Sequence, residues 1–199
     1  MGNTLLMRTE ASYSLNFLIY IQNIFINQNQ SREQIKYPYI PSKCEFRKDF
    51  EMSFKEVWSQ VSKRISEYPI HDQTIFYEKT IFYKSLFAEN DQSLNVYNEL
   101  YLSFKVWWGS FAGRFAIERS FDVYGQEIYT GLANRLMEKE MKPQRDLSIS
   151  LLYDECLYVE LKPAAYFAVL PIQDWLVNHK ELIQKLALCF EEKGGGGLS

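Results

Sequence analysis

Histidine is nearly missing from this chain: His71 and His179 are the only two in 199 residues, and Asp72 is their only close partner of ligand type. Cysteine is almost as scarce. Cys44, Cys156 and Cys189 are odd in number, far apart and without a CxxC spacing, which argues against a disulfide framework or a zinc site. The expectation is a reducing, cytoplasmic setting. Basic excess is missing too. The net charge is −3, and the 22 basic residues are scattered, Arg47-Lys48 and Lys63-Arg64 being the nearest approach to a cluster. Proteins that bind polyanions show a basic stripe, so no nucleic-acid partner is expected.

Glycine is sparse, and four of the nine stand together at 194–197, read here as a flexible tail or cloning scar over 194–199. No phosphate-cradling loop, Walker sequence or GxGxxG remains. Ser110 lies between glycines in Gly109-Ser-Phe-Ala-Gly113, but this is not G-x-S-x-G and its context is helical. No ExxH suggests a di-metal bundle. Long apolar runs are also lacking. Residues 11–31 carry no charge, yet they hold Asn16, Gln22, Asn23, Asn27, Gln28, Asn29 and Gln30, and the apolar part, Leu15 to Ile26, is too short to span a bilayer. The N-terminal residues offer no basic region or small-residue cleavage site, and Leu6 stands where a myristoylation signal needs Ser or Thr. No membrane association is expected.

What the chain has is aromatic residues. Fourteen Tyr, fourteen Phe and four Trp make up 16% of it, and each ring withdraws about 150–250 Å² from water when buried. They are arranged in stripes. Phe46, Phe50, Phe54, Val57/Trp58, Val61, Ile65 and Tyr68 recur at helical steps, predicting a helix over 43–67 with a capping box at Ser42–Glu45 and a stop at Pro69. Tyr97, Leu100/Tyr101, Phe104, Trp107/Trp108, Phe111 and Phe115 predict a second over 92–118, capped by Asn90 or Asp91. There Gly109, Ala112, Gly113 and Ala116 would admit a neighbouring helix. Between them, 73–88 contains the near-duplicate Thr-Ile-Phe-Tyr-Glu-Lys and Thr-Ile-Phe-Tyr-Lys-Ser, read as a helix with Asp72 at its N-cap. Ile128, Leu132, Leu136 and Met141 predict a helix over 123–141 that stops before Pro143. Another follows Pro171 over 172–192, and 15–26 is either a buried helix or a central strand.

From 147 the period changes to two. Residues 147–153, 156–162 and 165–170 read as an antiparallel meander with a turn at Asp154-Glu155. The predicted fold class is therefore α+β, mainly α: five to six helices with a small three-stranded antiparallel meander near the C-terminus, in a single globular domain over 1–193.

One arrangement has a catalytic shape. Glu160-Leu161-Lys162 is an E-x-K that would project both side chains from one strand face, with Asp146 and Asp154 upstream. It resembles the motif of the PD-(D/E)xK nucleases, which also carry strands followed by a helix. The resemblance covers about 45 residues and implies Mg²⁺ or Mn²⁺ held by Asp146 or Asp154 with Glu160, and a water positioned by Lys162. The chain departs from the pattern: no Pro precedes either Asp, Asp154 sits in a turn, and Pro163 follows the Lys. A Glu and a Lys on an exposed strand face give the competing structural explanation.

The leading expectation is a protein-interaction or regulatory protein (inhibitor, adaptor or complex subunit) with no catalytic activity and no cofactor, binding another protein or itself. Tyr101, Trp107 and Trp108 are its contact candidates, since Tyr and Trp are favoured at interfaces. The Ile-, Asn-, Lys- and Phe-rich composition suits an AT-rich bacterial or phage genome and an accessory role.

Overall fold

The computed structural model describes residues 5–29, 35–41, 43–177 and 179–191, with Asp122 by its backbone alone. The glycine-rich tail at 194–199, Ser42 of the expected capping box and Gln30 lie outside these residues. The described chain falls into two compact units. One comprises the described parts of Met1–Ala11, Ile117–Leu152 and Leu161–Ser199; the other is Ser12–Ala116 with Tyr153–Glu160.

The first unit is built on a sheet. Strands β1 (Met7–Ala11), β2 (Leu147–Leu152) and β3 (Phe167–Pro171) lie in that order, all parallel, with Met7 opposite Leu147 and Ser148 opposite Phe167. This overturns the antiparallel meander. Residues 156–162 form no strand, and the third partner is β1, from the other end of the sequence. A hairpin turn at Asp154-Glu155 would reverse the chain, whereas parallel neighbours need a crossover of a dozen or more residues, here 153–166. Parallel strands are covered on both faces and read as continuous apolar runs, and all five residues of β3 are buried.

The helix count is also corrected: eight α-helical segments occur among the described residues rather than five or six. In the first unit α6 (Arg114–Glu138), which begins in the second unit, sends Ile128, Leu132 and Leu136 inward at four-residue steps. It is followed by α7 (Ile172–Val177) and α8 (His179–Ala187). A Cβ on Gly131 would collide with the Ile183 side chain, so the close approach of helices expected at Gly109 and Gly113 occurs here instead. The end of α6 is set by backbone chemistry. Glu140 takes φ 53°, its N–H donates to the Met137 carbonyl, and Met141 N–H donates to Leu136 O at 2.9 Å. That is a Schellman ending with Glu where Gly is usual.

The second unit is organised around α1 (Tyr13–Asn29), which settles the 15–26 segment as a helix. Twelve of its seventeen residues are buried, and α2 (Phe50–Glu67), α3 (Asp72–Tyr77) and α5 (Asp91–Trp108) pack against it. Phe17 is its hub, with the rings of Tyr20, Phe76, Phe82, Tyr97, Tyr101 and Phe104 at centroid distances of 5.0–6.5 Å. The six-residue near-duplicate resolves into α3 and α4 (Lys79–Leu86), separated by Glu78. Helix α2 starts at Phe50 rather than 43, because Phe46 is taken into a β-bridge with Phe87. Helix α5 ends at Trp108: a Cβ on Gly113 would meet the Trp107 carbonyl oxygen and come within 2.7 Å of Trp108 Cα. The glycines therefore belong to the tight turn that closes α5, where a side chain at Gly113 would meet the backbone of Trp107 and Trp108.

Candidate functional site

Helix α1 is apolar nearly all round but interrupted by amides, and four of them, Asn16, Gln22, Asn23 and Asn27, have a common task. They bind the backbones of two irregular segments, 35–41 and 153–158. Asn27 accepts from Lys36 N–H at 2.9 Å and donates to the Lys36 and Pro38 carbonyls at 2.6 and 2.9 Å. Gln22 donates to Glu155 O and accepts from Leu157 N–H, at 2.9 and 2.8 Å. Asn16 accepts from Tyr153 N–H. Asn23, fully buried, donates to Tyr37 O and to Asp154 Oδ2, both at 2.8 Å, and lies 3.3 Å from the Tyr153 hydroxyl. An irregular segment has no ladder to satisfy its backbone groups, and buried amides supply the missing partners.

The two segments are also joined to each other. Lys36 Nζ lies 3.1 Å from Asp154 Oδ1, both side chains being about four-fifths buried. Tyr153 donates its hydroxyl to Tyr37 O at 3.0 Å. Burial, followed by the Asp154 carboxylate and the phenols of Tyr20 and Tyr37, pushes the Tyr153 phenol well above the ordinary tyrosine value. It therefore stays a neutral donor across physiological pH. Half-buried Trp107 closes the cluster, its ring 4.9 Å from that of Tyr37 and 5.0 Å from that of Tyr153.

Above this bonded base the segments expose large side chains. Ile35 is 57% exposed, Tyr37 49%, Tyr39 60% and Leu157 48%. The arrangement is a hydrogen-bonded base of amides and rings beneath exposed apolar and tyrosine side chains.

The expected contact residues are distributed unevenly. Trp107 lies at this site, beneath Tyr37. Tyr101 and Trp108 are inside the second unit, stacked against Phe76 and Phe104 respectively. Tyr37 and Tyr39 carried no periodic signal, since they stand in an irregular segment, and Leu157 lies in the period-two stretch 156–162 that forms no strand. The nearest clue was the density of amides in an otherwise apolar helix.

The residues of the E-x-K arrangement are placed as follows. Glu160 and Lys162 are exposed and outside any strand, so the shared strand face expected of them does not form. Asp146 directly precedes β2 in the first unit. The Asp154 carboxylate is engaged by Asn23, Lys36 and Glu155 N–H. Among the described residues no group of three or more His, Cys, Asp or Glu side chains is placed to hold a metal ion, and no helix is long and apolar enough to cross a membrane.

None of the three cysteines is in a disulfide. Burial pushes Cys44 upward and Cys156 and Cys189 up to about 12, which leaves them poor nucleophiles. A cleft of about 600 Å³ in the second unit has Phe25 and Phe46 with Lys43, Arg47 and Lys48 in its lining, and Arg47 is already held by Asp49. The chain matches no known protein family, no characterised protein and no solved structure.

Proposed function

We propose that this protein works by binding another protein, as an inhibitor, adaptor or complex subunit of the cytoplasm, through the surface formed by 35–41 and 153–158. One observation carries the reading: large apolar and tyrosine side chains are exposed on segments whose backbones are fixed from beneath by buried amides. Loops that are held rigid lose little freedom on association, so more of the contact energy survives as affinity. Tyrosine adds broad contact area with only two side-chain torsions to immobilise, and a hydroxyl for the partner. Binding surfaces are commonly built this way, on loops positioned by a rigid scaffold.

Ile35→Ser combined with Tyr39→Ser tests the surface, because both side chains are mainly exposed and neither bears the base. The melting temperature should be unchanged. A partner recovered with the original protein from lysate of its source should be lost from the double variant. Retention of that partner by the variant at undiminished yield refutes the assignment.

A further inference from the structure

The cleft of about 600 Å³ in the second unit is lined by the last turn of α1, Pro41 and the segment 43–48. Its walls are fixed by hydrogen bonds. Cys44 N–H donates to Gln28 Oε1 at 3.2 Å, Arg47 N–H donates to Leu86 O at 3.1 Å, and Glu45 O accepts from Ala88 N–H at 2.9 Å. Phe25 and Phe46, both half-buried, stand 5.3 Å apart in an edge-to-face pair, and each also meets Phe50, at 3.9 and 5.0 Å. Rings braced in this way offer a planar molecule an apolar contact that is already ordered, so little freedom is lost on binding. The volume falls within the range of about 300–1,000 Å³ usual for small-molecule sites.

The charge of the lining has one dominant sign. Among the described residues that line the cleft, Lys43, Arg47 and Lys48 stand against one carboxylate, Glu45, in a chain whose net charge is −3. The negative groups there are already engaged. Glu45 Oε2 accepts from Asn90 Nδ2 at 2.9 Å, and the Phe25 carbonyl near the end of α1 accepts from Asn29 Nδ2 at 2.8 Å. Arg47 is taken by Asp49, with Glu56 and Glu89 adding to the negative charge around it. Lys43 and Lys48 are exposed, and among the described residues neither has a hydrogen-bond or ion-pair partner. Apolar walls joined to uncompensated cations suit a ligand with an apolar plane and a negative end. A neutral ligand leaves the lysines unused, and a bare inorganic anion leaves the rings unused.

We infer that this cleft binds a small aromatic anion, its ring plane against Phe25 and Phe46 and its negative group beside Lys43 and Lys48. The site stands independently of the surface proposed to bind a protein, although Pro41 belongs to both.

The test is calorimetric titration of the full chain with naphthalene-2-carboxylate. Saturable binding of one equivalent with a Kd below about 1 mM is expected, and no binding up to that concentration overturns the proposal. The neutral naphthalene-2-carboxamide and the ringless acetate should each bind roughly tenfold more weakly. Equal affinity for the carboxamide overturns the role of the lysines, and equal affinity for acetate overturns the role of the rings. Lys43→Glu with Lys48→Glu reverses two exposed charges, so the melting temperature should hold while naphthalene-2-carboxylate binds roughly tenfold more weakly. Unchanged affinity in that variant overturns the site. Ile35→Ser with Tyr39→Ser should bind naphthalene-2-carboxylate as the original protein does; loss of binding there places the ligand on the other surface and overturns the assignment.

Discussion

At the scale of the residue, Asp72 shows how one side chain can serve an element other than its own. The sequence places it where it would cap the helix it begins. Instead the carboxylate is buried and turned to the start of α1, where it accepts from Ser12 Oγ at 2.8 Å and from the N–H groups of Tyr13 and Ser14. Ser14 Oγ returns a bond to the Asp72 carbonyl, and Ser12 Oγ accepts from Leu15 N–H. First-turn N–H groups have no partner within a helix, and the dipole there favours a negative charge. Asp72→Ala leaves these donors buried and unmatched, and urea unfolding should report a loss of about 2–3 kcal/mol. Asp72→Asn, which keeps an acceptor but not the charge, should cost less. The cap itself was legible as a residue type suited to capping, but its target was not, since sixty residues separate Asp72 from Ser12.

At the scale of the element, local sequence explains most of the helices. Asn90 caps α5 as its position suggests, its side chain accepting from Ser93 N–H at 2.8 Å. The stripes of α2 and α5 bury Phe54, Trp58, Val61 and Ile65, and Tyr97, Tyr101, Phe104 and Trp108. Ends were less legible, because they depend on what the flanking chain does elsewhere. Phe46 fits the stripe of α2 in spacing but pairs with Phe87. Glu140 continues the residues of α6 but adopts a left-handed conformation to close it. That conformation costs a non-glycine L-residue about 1–2 kcal/mol, and glycine gives back part of the gain through its freedom in the unfolded chain. Glu140→Gly should therefore stabilise the protein, by up to about 1 kcal/mol, as a rise in the urea midpoint at constant slope. An unchanged or lower midpoint contradicts the Schellman reading.

At the scale of the whole molecule, the aromatic and thiol content sets an alkaline limit. A group whose pKa is raised by folding contributes its full stability below its unfolded value and loses it as pH rises towards the folded one. Burial lifts Cys156 and Cys189 from 9.0 to about 12 and Tyr101 from 10.0 to about 12, and it also lifts Tyr97 and Tyr153. The melting temperature should stay level up to about pH 9 and then fall continuously, with tyrosinate absorbance at 295 nm growing as helical circular dichroism is lost. A melting temperature still level at about pH 11 would contradict the burial assigned to these groups.

The sequence by itself determined the helical stripes, most of the helix-forming segments and the aromatic nature of the interior, because a 3.6-residue period and a capping residue act within a few positions of one another. Tertiary structure decided the rest. The sheet is parallel because β1 and β2 meet across more than 130 residues, and alternation within a strand specifies neither its partner nor its direction. The candidate surface exists because Asn16, Gln22, Asn23 and Asn27 find their partners in segments as much as 137 residues away. An amide in a helix declares that it needs a hydrogen bond. Only the folded chain decides which backbone supplies it.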